Sequence, residues 1–338
     1  MTSVPTFGIT LGDPAGIGIE VTLKALVGGD FDGRYRLLLI GERIPVEAQM
    51  ALAGEGMALH IAEGLQDARW EPGVLNLLDM GVLSEPLGLG ELSPRGGESA
   101  FRALERGIGM CLAKELDGIV TAPLNKEALH MAGHLFDGHT EILGHFCGDR
   151  PTYMLLSSQR MKIAHVSTHC SLREACDRAK QPRVLATISA LADHLKILGI
   201  EAPRIAVAGL NPHAGENGLF GQEEIEEIIP AIEEAKARGI AAEGPVPPDS
   251  LYLRAHRGGW DGVIAMYHDQ GHIPQKLVAF DEAVNVTLGL PIIRTAVDHG
   301  TAFDIAGQGV ADPTNMARAI EYAGRMVRGK AQGGTGAL

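Results

Sequence analysis

Residues Gly8–Val21 read GITLGDPAGIGIEV, an apolar strand followed by a Gly-rich turn and the start of a helix. The same order of a short β-branched or Leu-rich run and a longer amphipathic stretch recurs along the chain. This alternation is typical of α/β proteins whose sheets are largely parallel. The sequence therefore predicts strands in the runs TFGITL, YRLLLIG, LDGIVTA, MKIAHVST, RIAVAGL and WDGVIAMY.

Two segments have the pattern of longer helices. Arg183–Leu198 carries apolar residues at helical spacing, and Gln222–Arg238 is acidic at its start and basic at its end, as the helix dipole favours. No internal repeat or low-complexity linker interrupts the chain. The length of 338 residues suits about two domains.

The charge balance excludes one class of partner. The net charge is −13 and no block of Lys and Arg forms a basic stripe, so nucleic-acid binding is disfavoured. An anionic ligand must be held by a few local cations. The sequence begins without a secretory signal pattern and no stretch has the length of a membrane span, so we expect a cytoplasmic protein without a membrane partner. The four cysteines show no CxxC pairing, which fits a reducing compartment.

Three histidines follow apolar strand patterns, where α/β sheets place ligands. They are His169 in HVSTHCSLREA, His213 in GLNPHAGENGLFG and His268 in AMYHDQGHIPQK. Each one alone is more often an ordinary hydrogen-bonding residue. Three imidazoles around an open position are typical of a catalytic metal site, which we predict here. His165 and His272 are rival candidates, and His165 falls within a strand pattern that places it in the core.

A second set of side chains could hold an anion. Gly138, His139 and Thr140 combine a flexible backbone with two side-chain donors. The other candidates are two cations and an amide near strand patterns, each of which could instead be solvated surface: Lys276, Asn285 and Arg294. Lys126, at a predicted helix start, is by itself more often a solvated helix residue. The loop at Gly12 and Asp13 lacks a full GxGxxG or Walker pattern, so alone it favours a tight βα connection over phosphate binding.

Seven motifs in one order then indicate a family: GDPAGIG, TAPLNK, GHTE, STH, NPHAGE, YHDQGHIP and the run from Asn285 to Gly309. Over Thr6 to about Ala323 the chain resembles the 4-hydroxythreonine-4-phosphate dehydrogenase (PdxA) family. The runs TAPLNKEALH, ENGLFG and HDQGHIP most resemble the branch that acts on 4-phospho-D-threonate and 4-phospho-D-erythronate.

The resemblance implies a fold like that of isocitrate and isopropylmalate dehydrogenases, with two α/β domains and an active-site cleft between them. The implied nicotinamide-binding domain is 1–128 plus 288–338. The implied metal, substrate and dimerisation domain is 129–287. A homodimer with an active site shared between subunits follows from the same resemblance.

The resemblance also assigns roles to residues. The metal ligands would be His169, His213 and His268, for Zn, Co, Mg or Mn. Substrate binding falls to His139, Thr140, Lys276, Asn285 and Arg294. HGTAFDIAGQGVADPT (His299–Thr314) resembles the stretch through which isopropylmalate dehydrogenases hold the adenosine end of NAD, so the NAD or NADP residues would be Gly12, Asp13, His299, Gly300, Thr301, Ala302 and Asp312.

Two positions depart from the expected pattern. Ile19 replaces a Pro, which should only loosen a helix start. Asp312 replaces the Asn of the isopropylmalate enzymes, which puts the adenine contacts in question.

The implied reaction is metal-assisted oxidation of a 4-phosphorylated 3-hydroxy acid to a 3-keto acid, which decarboxylates to dihydroxyacetone phosphate and CO2. Candidates for proton handling are Asp249, Asp269 and Lys126. Three alternatives remain at this point: 4-hydroxythreonine-4-phosphate dehydrogenase activity, oxidation of an aromatic cis-dihydrodiol acid, and metabolite binding without turnover.

Overall fold

The computed structural model describes residues 4–53 and 56–331, and strands alternate with helices along nearly all of this length. The chain forms two compact units. The first contains Met1–Arg150 and Leu290–Val327, and the second contains Pro151–Gly289 and Arg328–Leu338. Residues 129–150 thus fold with the first unit. The functional labels expected for 1–128 plus 288–338 and for 129–287 stay predictions, because compactness does not test what a domain binds.

The first unit is built on a parallel sheet of six strands in the order β3-β4-β2-β1-β5-β12. Its central strands are buried along almost their whole length, as expected when helices cover both faces of a parallel sheet. The strands are β1 (Thr6–Thr10), β2 (Arg36–Gly41), β3 (Ala58–Ile61), β4 (Val74–Asp79), β5 (Gly118–Thr121) and β12 (Arg294–Ala296).

The helices of the first unit begin where the sequence supplies caps. Ser93 caps α3 by accepting a hydrogen bond from the Arg95 amide (3.2 Å), and Pro94 occupies the first position, where no N–H is needed. Asn125 caps α4 through the Ala128 amide (3.0 Å). The helices are α1 (Gly18–Gly28), α2 (Arg43–Gln49), α3 (Pro94–Leu112), α4 (Lys126–Met131), α5 (His139–Phe146) and α11 (Thr314–Ala331), whose last residues belong to the second unit.

The second unit has strands in the order β11-β6-β7-β10-β8-β9. Only β6 among them is antiparallel to its neighbours. Four residues separate β6 from β7, which is enough for a hairpin and too few for a crossover helix. The strands are β6 (Tyr153–Ser157), β7 (Lys162–His165), β8 (Arg204–Ala208), β9 (Ala241–Val246), β10 (Gly262–Ala265) and β11 (Val284–Leu288).

Both predicted long helices are present in the second unit. The one expected at Arg183–Leu198 is α7, whereas the one expected at Gln222–Arg238 begins with a π-helical turn, Glu224–Ile228, that continues into α8. The helices are α6 (Leu172–Arg178), α7 (Gln181–Ile197), α8 (Ile229–Ala237), α9 (Pro248–His256) and α10 (His268–Ala279). The predicted α/β class is therefore confirmed. Within the described residues no helix is long and apolar enough to cross a membrane.

Candidate active site

The three candidate metal histidines lie beyond the carboxyl ends of three neighbouring parallel strands. His169 follows β7, His213 follows β8, and His268 begins α10 directly after β10. Strand β10 lies between β7 and β8 and is parallel to both, so the three loops leave the same edge of the sheet. The rings of His169 and His268 have centroids 6.2 Å apart.

His268 has the surroundings of a metal ligand. Its Nδ1 lies 2.6 Å from Oδ1 of Asp269, a contact that orients the ring and leaves Nε2 for coordination. In the parts of the chain that the structure describes, however, no group of three His, Cys, Asp or Glu side chains is arranged to hold an ion. The donor chemistry of three imidazoles suits a divalent transition metal.

The rival histidines are placed inside the second unit. His165 is buried, as its strand position predicts, and burial lowers its pKa to about 3. The His272 ring stacks on His268 with centroids 3.6 Å apart, and burial together with the His268 charge lowers the pKa of His272 to about 4. Both imidazoles are therefore neutral at pH 7.

His213 has an unusual backbone. The residues from His213 to Asn217 all have positive φ and form a left-handed turn, although only Gly215 among them lacks a side chain. This conformation costs roughly 1–2 kcal/mol for each ordinary residue, and such strain is concentrated at functional sites. The turn presents His213 as an exposed side chain.

In the first unit a buried arginine marks the candidate anion site. Arg294, at the start of β12, is 4% exposed and donates from Nε (3.2 Å) and Nη2 (2.8 Å) to the Thr121 hydroxyl at the end of β5. Burial lowers the pKa of Arg294 to about 9, and the charge of Glu141 opposes this shift. A guanidinium that has lost this much hydration would gain from a bound carboxylate or phosphate.

His139 and Lys126 lie in the same unit as Arg294. His139 begins α5, and its pKa is lowered well below the ordinary value by burial and then by the charge of Arg294, so its ring is a neutral donor. Gly138 before it has φ 152°, and a Cβ there would meet Lys126 Cε at 3.7 Å. The structure thus brings His139 and Arg294 of the predicted anion set into one region, together with Lys126, a candidate for proton handling.

Of the remaining predicted residues, Lys276, Asn285 and Asp249 lie in the second unit. Lys276 is near the end of α10, with Nζ 5.1 Å from the centre of the Phe280 ring, and Asn285 is on β11. Thr140 follows His139 in α5 of the first unit. Asp249 is exposed in the first turn of α9.

The predicted cofactor residues gather in the first unit. The Ile17 amide donates to the Thr301 carbonyl (3.0 Å), which joins the Gly-rich loop to the segment His299–Ala302. Gly12 has φ 68°, and a Cβ there would lie 2.1 Å from the Pro123 carbonyl oxygen, so only glycine fits. Asp312 accepts hydrogen bonds from the amide and hydroxyl of Thr314, which lower its pKa.

Asp13 is a buried carboxyl in the same loop. Its Oδ1 accepts from the Ala15 amide (3.0 Å), whereas Oδ2 is buried without a hydrogen-bond partner in the described structure. Burial raises the pKa of Asp13 to about 6. A buried carboxylate oxygen left open in this way suits a ligand hydroxyl group.

Two supporting residues, Thr121 and Glu224, were not predicted from the sequence. Thr121, which receives Arg294, lies inside the motif TAPLNK and was not singled out. Glu224 is 1% exposed and accepts hydrogen bonds from the amides of Leu210 and Asn211 (both 2.7 Å) ahead of His213. Its signal was weak, because four glutamates stand close together in GQEEIEEI and the pattern does not show which one faces inward.

Two α/β units with donor-rich loops at their strand ends define the class, a metabolic enzyme of the α/β type. The chain belongs to the PdxA family, because residues 34–323 match the family described as "Pyridoxal phosphate biosynthetic protein PdxA". It is 45% identical to a D-threonate 4-phosphate dehydrogenase of Cupriavidus necator over 97% of this chain and 99% of that protein.

Solved structures give the same result. A 4-hydroxythreonine-4-phosphate dehydrogenase from Klebsiella pneumoniae matches with a TM-score of 0.88 and 42% identity, covering 96% of this chain and 99% of that one. A terephthalate 1,2-cis-dihydrodiol dehydrogenase from Burkholderia xenovorans LB400 matches with a TM-score of 0.65 and 27% identity, covering 95% and 98%. The predicted family and the predicted enzyme class, a nicotinamide-dependent dehydrogenase, are confirmed.

Proposed function

We propose that this chain oxidises a 4-phosphorylated 3-hydroxy acid, 4-phospho-D-threonate or 4-phospho-D-erythronate, with NAD. The product is a 3-keto acid that loses CO2 and leaves dihydroxyacetone phosphate. The observation that carries the proposal is the buried Arg294 guanidinium in a protein of net charge −13. Such a cation favours a small, strongly anionic substrate, and the name of the C. necator relative supports the same substrate class.

Each group of residues has a proposed part in binding. Arg294, His139 and Thr140 would hold the anion from the first unit, with Lys276 and Asn285 assigned to the substrate by the family resemblance. A divalent metal would be held by His169, His213 and His268, and Asp269 would orient His268. Replacing any one of these three histidines by Ala should lower metal content and turnover together, and unchanged values in all three variants would refute the metal proposal.

Chemistry requires a proton acceptor and a hydride acceptor. A metal held by the three histidines would supply acidification of the substrate hydroxyl, and a bound nicotinamide would supply a hydride acceptor. The chain must take up the hydroxyl proton, for which Asp249, Asp269 and Lys126 are the candidates. The 3-keto acid then loses CO2 because nearby cations can stabilise the enolate that decarboxylation leaves.

The cofactor is proposed to be NAD. Residues 299–317 contain Asp304 and Asp312 but no Lys or Arg, and Lys24, which reaches this segment from α1, is already paired with Glu20 and donates to the carbonyls of Gly309 and Ala311. A carboxylate suits the ribose 2′-hydroxyl of NAD, whereas the 2′-phosphate of NADP needs a nearby cation. The site would therefore discriminate against NADP by charge.

A homodimer is the proposed assembly. In the second unit, α10 presents Ile273, Leu277 and Phe280 at helical spacing, with 63%, 84% and 65% of each residue exposed. An apolar stripe of this kind is normally covered by another protein surface. We propose a second copy as the partner, since the family resemblance implies an active site shared between subunits.

Three substrates separate the competing activities. The protein should be incubated with NAD and, in turn, 4-phospho-D-threonate, 4-phosphohydroxythreonine and an aromatic cis-dihydrodiol acid, while nicotinamide absorbance is followed. The proposal expects the highest kcat/KM with 4-phospho-D-threonate. A preference for either other compound would reassign the substrate, and tight binding without NADH formation would indicate a metabolite-binding protein.

A further inference from the structure

The left-handed turn from His213 to Asn217 is held from outside by one buried carboxylate. Glu224 Oε1 accepts the amides of Leu210 and Asn211 at 2.7 Å, and Oε2 accepts Asn211 Nδ2 at 2.9 Å. The carboxylate also touches the turn, because a Cβ on Gly215 would lie 2.6 Å from Glu224 Oε2. It therefore holds the entry to the turn by hydrogen bonds and lies close against Gly215 in its middle.

A second buried side chain ties this segment to α10. Gln270 Nε2 donates to the Gly209 carbonyl (2.7 Å), and its Oε1 accepts the Met266 amide (2.7 Å). Gly209 directly precedes the residues that Glu224 holds, and Gln270 lies two residues after His268. The backbone before His213 and the start of α10 are thus connected through buried hydrogen bonds.

The turn needs such support. Left-handed conformations of ordinary residues persist only where the surrounding structure over-determines them. We propose that Glu224 is a positioning residue, which holds the left-handed turn so that His213 is presented for metal coordination. This inference rests on the proposed role of His213 as a metal ligand.

Glu224→Gln tests the inference with little change of shape. The glutamine oxygen can still accept the two backbone amides, but its NH2 group would face the NH2 group of Asn211. We expect the Kd for Co²⁺, measured on metal-free protein, to rise about 10- to 100-fold, the range typical for residues that orient metal ligands. The visible spectrum of bound Co²⁺ should change as well, because the coordination geometry changes, while the far-UV circular dichroism stays the same.

Glu226→Gln is the matched control. This variant removes the same charge from an exposed side chain, which lies two residues after Glu224 in the same π-helical turn. Its Kd for Co²⁺ should stay within about twofold of wild type, since a surface charge at this distance is screened. An equal rise in the Kd for Co²⁺ in both variants would mean that only the lost negative charge matters. That result would overturn the positioning role of Glu224.

His213→Ala separates this inference from the proposed metal site. If Glu224 acts through His213, adding Glu224→Gln to His213→Ala should weaken Co²⁺ binding no further. If His213→Ala weakens binding and Glu224→Gln does not, the role of Glu224 is overturned and the metal ligand stands. If His213→Ala binds Co²⁺ as wild type does, both proposals are overturned.

Asn211→Ala covers the case in which Glu224→Gln does not fold. It removes the side-chain hydrogen bonds that Asn211 Nδ2 donates to Glu224 Oε2 (2.9 Å) and Glu223 Oε2 (2.7 Å), and it leaves both backbone hydrogen bonds to Glu224. We expect Asn211→Ala to raise the Kd for Co²⁺ severalfold in the wild-type protein. In the His213→Ala variant, the same change should raise the Kd no further. An unchanged Kd would overturn the inference.

Discussion

At the scale of single residues, we propose that Arg294 selects an anionic substrate. Its guanidinium is buried against the Thr121 hydroxyl, and burial lowers its pKa to about 9. A buried guanidinium with little hydration should bind an anion more strongly than a surface arginine can. On this proposal, substrate binding depends on one local cation despite the negative overall charge of the protein.

Arg294→Ala should lower kcat/KM for 4-phospho-D-threonate by about 10- to 100-fold, since a hydrogen bond to a charged group contributes roughly 1.5–3 kcal/mol. Steady-state kinetics with the phosphorylated substrate and its unphosphorylated analogue give the measurement. The rate with the analogue should hardly change. Arg102→Ala, at an exposed arginine paired with Glu98 and Glu105, is the control. An equal loss with both substrates would assign Arg294 to the carboxylate or to the fold.

The buried carboxyl of Asp13 is predicted to lower the stability of the fold at neutral pH and to contribute to NAD binding. Its folded-state pKa of about 6 lies above the ordinary 3.8, so between these values the folded protein binds more protons than the unfolded chain. Stability from this carboxyl is therefore present at low pH and lost as the pH rises through about 6, by about 3 kcal/mol in total.

Asp13→Asn should accordingly raise the Tm at pH 8 and leave it nearly unchanged at pH 4. Thermal unfolding over this pH range measures the difference. The same variant should bind NAD less tightly, because the open carboxylate oxygen is replaced by an amide donor. A lower Tm than wild type at pH 8 would contradict the account of the buried charge.

At the scale of elements, α1 anchors the predicted adenosine loop. Lys24 Nζ donates to the carbonyls of Gly309 (2.6 Å) and Ala311 (2.9 Å), and its partner Glu20 accepts the Ala311 amide (2.8 Å). Asp312 directly follows this anchored stretch. The shape of the loop is therefore set by a helix that follows the Gly-rich turn.

The double variant Glu20→Gln/Lys24→Met should loosen this loop. Both residues are replaced because Lys24→Met alone would leave the buried Glu20 carboxylate without its ion-pair partner. We expect the KM for NAD to rise by roughly tenfold, the equivalent of about 1.4 kcal/mol, with little change in the KM for the phosphorylated substrate. Initial rates at varied NAD and varied substrate separate the two constants. Lys114→Met, at an exposed lysine of the same unit, should change neither, and a parallel rise in both constants would reject the anchoring role.

Many of the strands were predictable from the sequence, because a parallel strand that is buried on both faces consists of consecutive apolar residues. The runs at β1, β2, β5, β7, β8 and β10 were found in this way. Strand β6 was not predicted, and its reversed direction depends on the four-residue link to β7 rather than on its composition. The left-handed turn at His213 was also unpredictable, since NPHAGEN carries only one glycine and depends on the distant Glu224 for support.

At the scale of the whole molecule, the exposed stripe on α10 predicts dimerisation. Leu277→Glu places a charge in the middle of this stripe and should convert the dimer to a monomer with little activity. Leu135→Glu, at an 80% exposed leucine of the other unit, should leave the assembly unchanged. Sedimentation velocity and activity on the same samples check both variants. A monomeric wild-type protein with full activity would exclude the shared site.

Some features of the candidate site could be predicted from the sequence, and others could not. Residue types and their order were enough to identify the family from the sequence, whereas the set of metal ligands stays a prediction. The distances between His169, His213 and His268 could not be predicted, because the three residues lie on separate loops whose positions depend on the strand order of the sheet.

The central claim is oxidative decarboxylation of a phosphorylated hydroxy acid. Its most direct test is the stoichiometry with carboxyl-labelled 4-phospho-D-threonate, in which NADH, labelled CO2 and dihydroxyacetone phosphate are measured in one reaction. If the protein catalyses this reaction, we expect the three products to form in equal amounts and none to form without NAD. NADH that accumulates while the label stays in a stable acid, or labelled substrate that remains unchanged in the presence of NAD and metal, would contradict it.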